Sequence, residues 1–270
     1  MLSKGFKEVL DFALEQVDIN PKKNILDFGC GNGRFVEEMR ERNLNAYGCD
    51  IVPKIRGKLF LVRQGLEHNK NSQYIRYYYD LEKIPFEDDF FAFIFSYQVF
   101  EHIRNLEFST KEMHRVMGGG GVVYSEFAAS YPFVDCHTGF PMLWLAQKIK
   151  NKKVKKIYCY LSIKMGFVIR EEVCKAWRFA KKYLFYRSYK EMDSVFRANG
   201  FEVRDITYYR RKKRLMLDGV GTIRELLSYK ILRKKGKSDR MGYGVRAYLY
   251  FHVLFYRLLV NRVVLLSKLG

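Results

Sequence analysis

Residues 25–35 read ILDFGCGNGRF: an apolar run that ends on Asp27, then Gly29, Gly31 and Gly33 at alternate positions, then the start of an amphipathic stretch. Few architectures accept this pattern, because glycine is what lets a backbone turn with positive φ and approach a ligand closely. In an open parallel sheet the first strand-to-helix turn is such a place, and ligands lie just beyond the carboxyl ends of the strands. The dinucleotide spacing G-x-G-x-x-G fails here. Counted from Gly29 its third glycine falls on Arg34, and counted from Gly31 on Val36.

The rest of the first half alternates strand-like and helix-like periods, which predicts an α/β fold: a doubly wound, mostly parallel sheet flanked by helices. Strands are expected at 24–28, 45–49, 74–79, 90–95 and 122–127, several of them apolar on both faces as strands between two helical layers are. Helices are expected at the N-terminus, where Glu8, Asp11 and Glu15 punctuate an apolar pattern and argue against a cleaved signal, and at 34–43 and 106–117. Gly118–Gly121 then reads as a helix stop. Residues 188–209 read as a helix, a Gly200 cap and another strand. The expected organisation is one main domain from 1–140 and 188–210, a helical insertion or lid over 141–187, and a basic helical C-terminal appendage over 211–270. A seventh strand is sought in 155–169 or 205–217.

Charge divides the chain sharply. Residues 1–140 hold 17 Lys and Arg against 20 Asp and Glu, whereas 141–270 hold 32 against 9. A neutral body with a basic second half attracts phosphate, whether on nucleic acid, anionic lipid or a phosphorylated carrier. Five cysteines without a CxxC pair argue against a disulfide framework and a zinc knuckle, and fit a reducing cytosol. No apolar run reaches the 18 or so residues of a spanning helix.

Gly29, Gly31 and Gly33, with Asp27 two residues ahead, resemble the E/D-x-G-x-G-x-G loop of the class I S-adenosylmethionine-dependent methyltransferases, whose fold is Rossmann-like. "YGCD" ends at Asp50, 17 residues after Gly33, where the family's acid accepts both ribose hydroxyls. Residues 77–103, "YYYDLEKIPFEDDFFAFIFSYQVFEHI", are similar to the family's next two segments, and 112–127, "EMHRVMGGGGVVYSEF", to its following helix, turn and fifth strand. The resemblance implies S-adenosylmethionine as cofactor, S-adenosylhomocysteine as product, and cofactor contacts from Asp27, Phe28, Gly29, Gly31, Gly33, Asp50, Ile51, Asp80, Leu81 and Ser96.

Methyl transfer from a sulfonium needs alignment, exclusion of water and removal of one proton from the acceptor. A histidine base suits neutral pH. His102, just past the fourth strand, and His137, in the loop after the fifth, are the candidates, with packing roles as their alternative. Tyr97, Gln98, Glu101 and Asp135 are candidate substrate contacts, and Asp135 is placed to orient His137. "EH" at 101–102 also resembles the E-x-x-E-H metal-binding run of the O-methyltransferases of ubiquinone synthesis, but Gln98 replaces its first glutamate, so no metal is predicted.

"YPFVDCHTGFPMLWL" (131–145) resembles a P-F-x-D-x-H-x-x-x-P stretch of bacterial methyltransferases that accompany glycan and surface-polysaccharide synthesis. Its aromatics Tyr131, Phe133, Phe140 and Trp144 would stack on a sugar or form a lid core. At 100° per residue, Arg246, Arg257, Asn261 and Lys268 fall within about 60° of one another, so the last segment reads as an amphipathic helix that packs on protein or lies on an anionic membrane. The expected function is O-methylation of a saccharide, another small molecule or a lipid-linked acceptor, in the cytosol or at the inner membrane surface. An RNA methyltransferase using the basic half is the alternative.

Overall fold

The computed structural model describes residues 2, 4–51, 72–79, 81–128, 135, 137–168, 170–210, 212–213 and 261–269. Two compact units divide the chain: Met1–Phe127 with Tyr189–Ile206 and Arg262–Gly270, and Ala128–Ser188 with Thr207–Asn261.

The first unit is built on a seven-stranded sheet: β1 (Asn24–Phe28), β2 (Asn45–Ile51), β3 (Ile75–Tyr78), β4 (Phe91–Tyr97), β5 (Met117–Ala128), β6 (Phe201–Asp205) and β7 (Asn261–Lys268). Their order across the sheet is β3-β2-β1-β4-β5-β7-β6. The first five pair in parallel, with Asp27 level with Gly48 on one side and Phe95 on the other. The chain therefore starts mid-sheet, winds outward to β3, then returns to the other side of β1. That reversal lies between β1 and β4, and it opens a crevice at their carboxyl ends.

Helix α1 (Lys4–Glu15) buries Val9, Leu10, Phe12 and Ala13, and α2 (Arg34–Glu41) buries Val36 and Met39; both sets join Ile25, Phe93, Phe95 and Tyr124 of the sheet in one core. Helix α3 (Leu106–Val116) is capped by Asn105, whose side chain accepts from the Phe108 amide. It passes directly into β5. The helix ends at Val116, just ahead of Gly118–Gly121 as expected, and the glycines form a bulge in the strand that follows: Met117 pairs with Phe91 and pairing resumes with Val122 opposite Phe93. Gly120 has φ +71°, and a Cβ on Gly121 would crowd the Met117 side chain, so the excess residues fit because they carry no side chains.

The seventh strand lies outside both expected places. Residues 155–164 belong to a helix, 207–210 are helical, and β7 comes from the last ten residues, antiparallel to β6 with Phe201 opposite Lys268 and Asp205 opposite Val264. The polar stripe through Arg246, Arg257, Asn261 and Lys268 points to a helix, but within the tail Val263–Leu266 is a short continuous apolar run, which has no period to separate a doubly buried strand from a buried helix. All four side chains are buried. Lys268, expected on a polar helical stripe, instead reaches Asp89 Oδ1 at 2.7 Å and the Met117 carbonyl at 2.6 Å. Arg262 likewise pairs with Asp205 at 3.2 Å.

The second unit contains α4 (Leu143–Ala146), α5 (Lys152–Lys164) and α6 (Val173–Tyr183), packed on Phe140, Leu143, Phe167, Val168, Ala180 and Leu184. The insertion is helical as expected. It is joined in this unit by Thr207–Asn261, which the sequence assigned elsewhere. The basic cluster at 233–237 and the expected helical stretch up to residue 260 lie outside the described residues, as do Asp80, Tyr131 and Phe133. No helix among the described residues is long and apolar enough to cross a membrane.

Candidate functional site

The turn after β1 is built from backbone. The Gly29 and Cys30 amides both donate to the Cys49 carbonyl, at 2.9 and 3.0 Å, and the Gly33 amide closes on the Cys30 carbonyl at 2.8 Å. Gly29, Gly31 and Gly33 all have positive φ, at 78°, 54° and 76°. Their spatial demands differ. A Cβ on Gly29 would run into the Val99 side chain, whereas around Gly31 nothing stands within 4 Å. The first glycine is therefore required by packing and the second leaves open space. Gly48, which sequence reading passed over, is a further close approach: a Cβ there would lie 2.8 Å from Cys30 Sγ and 2.9 Å from Val36.

Asp50 holds the loop from the neighbouring strand. Its Oδ2 accepts from the Gly31 amide and its Oδ1 from the Ile51 amide, each at 2.6 Å. Burial raises its pKa, and these two amides work against the rise. Tyr77 of β3, also missed from sequence, donates its hydroxyl to the Gly31 carbonyl at 2.8 Å. Burial first, then the proximity of Cys30 and Asp50, pushes the Tyr77 pKa up, so it stays a donor. Tyr77 stands directly opposite Asp50 in the β2–β3 ladder, a pairing that no local signal in the sequence announces.

Beside this turn lies a cavity of about 530 Å³ lined by Asp27, Gly29, Cys30, Gly31, Asn32, Arg34, Tyr97 and Gln98, with Leu2, Phe6 and Phe35. Asp27 is 2% exposed, and its Oδ2 has no hydrogen-bond partner among the described residues. Its pKa is raised well above the ordinary value, by burial and then by the Asp50 charge. Such a carboxylate lacks a cation or donor. Burial also raises the Cys30 thiol, followed by Asp27 and Asp50, which keeps it protonated and without nucleophilic character. Phe6, Phe35 and Tyr97 meet edge to face at 5.7–6.0 Å and form an aromatic wall.

The structure sorts the expected residues by strand parity. Asp27, Tyr97 and Gln98 line the cavity; Phe28 is packed on Phe100 and Ser96 is fully buried, and neither lines it. Successive strand side chains point to opposite faces, so the neighbours of a cavity residue face the core. Gln98 has φ 56°, and its amide bonds the Glu126 carbonyl at 2.8 Å. Ile51 and Leu81 are exposed, and Leu81 also has positive φ. Glu101 is buried within the turn Phe100–His102, where the His102 amide donates to the Val99 carbonyl at 2.8 Å.

Asp135 and His137 belong to the second unit. Asp135 Oδ1 accepts from the His137 amide at 3.1 Å and from the Thr138 amide and hydroxyl at 2.8 Å each, and Oδ2 accepts from Tyr186 at 2.8 Å. His137 Nδ1 stands 3.8 Å from Oδ2. Burial disfavours the charge on Asp135, but the partners His137, Thr138 and Tyr186 outweigh it and hold the pKa below the ordinary value. With four donors satisfied, Asp135 fastens the loop rather than waiting for a substrate. Phe140 is fully buried, stacked on Tyr158 at 5.6 Å.

A family described as a methyltransferase domain matches residues 1–206. The malonyl-[acyl-carrier protein] O-methyltransferase of Serratia marcescens is 32% identical over 113 residues, which are 41% of this chain and 40% of that protein. Phosphoethanolamine N-methyltransferase 2 of Haemonchus contortus, solved in complex with S-adenosyl-L-methionine, is similar over 98% of this chain and 52% of its own, with a TM-score of 0.53 and 14% identity. The YcgJ protein of Bacillus subtilis is similar over 98% and 99%, with a TM-score of 0.51 and 14% identity. At such identities the solved structures speak for the fold, and the chain spans about half of the Haemonchus enzyme and less of the Serratia one.

Proposed function

The chain belongs to the class I S-adenosylmethionine-dependent methyltransferases, and from that premise we propose that it O-methylates a hydroxyl of a saccharide or similar small molecule, free or carried on a lipid at an anionic membrane surface. The observation that carries this reading is the cavity beside the glycine turn, whose volume of about 530 Å³ suits a small molecule and whose Phe6, Phe35 and Tyr97 offer ring faces and edges to a sugar. The Serratia relative, named an O-methyltransferase, supports transfer to oxygen.

The residues present fit the cofactor. Asp27 supplies an unsatisfied buried carboxylate for a cationic ligand, Gly31 leaves room for close approach, and each Asp50 oxygen keeps a lone pair for a hydroxyl. S-adenosylmethionine supplies a methyl already activated on a sulfonium, so the chain's own task is alignment and proton removal. The aromatic wall orients the acceptor. His102, four residues beyond Gln98, takes the proton from the acceptor hydroxyl. His137, held by Asp135, is the second candidate for acceptor contact.

Transfer of a radiolabelled methyl group to a panel of free and lipid-linked saccharides tests the reading. His102→Ala should lower the rate by about a hundredfold or more while cofactor affinity, read by calorimetry, is kept. Label appearing in RNA in place of saccharide overturns it in favour of the alternative suggested by the basic half.

A further inference from the structure

The helix α5 carries a surface that methyl transfer does not use. Its Asn151 cap accepts from the Lys153 and Val154 amides, and one face is fixed: Tyr158 donates to the Pro141 carbonyl at 2.6 Å and stacks on Phe140, and Ser162 is buried. The other face leaves Val154, Ile157, Leu161 and Met165 between 46% and 57% exposed. Spacings of three and four residues put these side chains on a single stripe. Tyr160 is exposed too; at 100° per residue Lys153 and Lys164 flank one edge of the stripe, with Lys152 and Lys156 farther round the helix, all exposed. From residue 136 to 170 the chain has eight Lys and Arg and no acid at all.

We propose that this face of α5 docks on an anionic lipid surface, with the aliphatic stripe in the outer acyl region and the lysines among the headgroups. Charge complementarity and apolarity argue for one occupant. RNA would satisfy the lysines but offers nothing to Val154, Ile157, Leu161 and Met165, which gain only where apolar surface leaves water. A second copy would cover the stripe but would bring together two units each carrying 27 Lys and Arg against 6 Asp and Glu. A lipid surface with negative headgroups satisfies both features. The proposal rests on the peripheral membrane contact named above and assigns it to an element other than the C-terminal segment, part of which is β7.

The full chain is sedimented with vesicles of phosphatidylcholine alone and of equimolar phosphatidylcholine and phosphatidylglycerol, with cofactor binding measured on the same samples as a check of folding. Binding is expected to the anionic vesicles only. The double substitution Ile157→Asp with Leu161→Asp should weaken it about a hundredfold, from the loss of two inserted aliphatic side chains. Lys153→Gln and Lys164→Gln should each weaken it about fivefold. Anionic binding that survives the double substitution unchanged overturns the role of α5 and leaves the membrane reading standing. No binding by the unaltered chain overturns both, and binding to an RNA oligonucleotide in place of vesicles overturns both in favour of nucleic acid.

Discussion

Asp27 and Asp135 are equally buried aspartates in different units, and their surroundings are opposite. Asp27, near the end of β1, has an oxygen with no partner among the described residues and a pKa pushed up by burial and by Asp50. Asp135, in the loop of the second unit, is met by His137, Thr138 and Tyr186 and stays ionised despite burial. A buried carboxylate oxygen without a partner calls for an explanation, whereas one surrounded by donors is accounted for by the loop it holds together. The first unit is nearly neutral, with 22 Lys and Arg against 23 Asp and Glu, while the second carries the whole positive excess. The glycine turn and the positive excess thus lie in separate units of the chain.

Breaking Asp135 should have the largest effect on stability. Asp135→Ala strands several buried donors and should cost about 3 kcal/mol or more, seen as faster hydrogen exchange across residues 137–187 with cofactor affinity unchanged; lost cofactor affinity with an intact loop would reverse the contrast. Asp50→Ala should do the opposite. It should weaken S-adenosylmethionine binding by about 2 kcal/mol in calorimetry, on the scale of charge-assisted bonds, and leave exchange in 137–187 alone.

The two acids should also give opposite pH slopes. A folded-state pKa above the unfolded one means that the native state holds more protons, so the Asp27 contribution to stability is present at low pH and lost as pH rises through its raised value. Asp135, with its lowered pKa, contributes stability above the ordinary aspartate range that is lost as pH falls. Thermal melts against pH should therefore lose a falling component in Asp27→Asn and a rising one in Asp135→Asn. Parallel profiles for both variants would sink the distinction. Tyr77→Phe should have the smallest effect, about 1 kcal/mol for one neutral hydrogen bond, read as roughly fivefold weaker cofactor binding.

The glycine turn was legible for a local reason. Asp27, the three glycines and Asp50 lie close in sequence or at strand ends, and each is demanded by backbone geometry or charge that the residue type itself announces. The neighbours Phe28 and Ser96 were assigned with them, yet strand parity turns them into the core. Tyr77 and Gly48 were missed because their partners are Gly31, Cys30 and Val36, on other elements. The glycine run at 118–121 announced the helix end at Val116 but not the bulge it also forms, since a helix stop and a β-bulge both ask for residues without side chains.

By itself, then, the sequence determined the α/β class, the parallel strands, the glycine turn and the division of charge, because period, glycine and charge act over a few residues. Only the tertiary structure decided where the sheet ends. An apolar run such as Val263–Leu266 has no preference of its own, and it became β7 because the free edge of β6 and the carbonyl of Met117 supplied partners from far along the chain. The same holds for Asp27 and Asp135. Two identical side chains acquire different roles from the donors that distant residues bring, or fail to bring, to their oxygens.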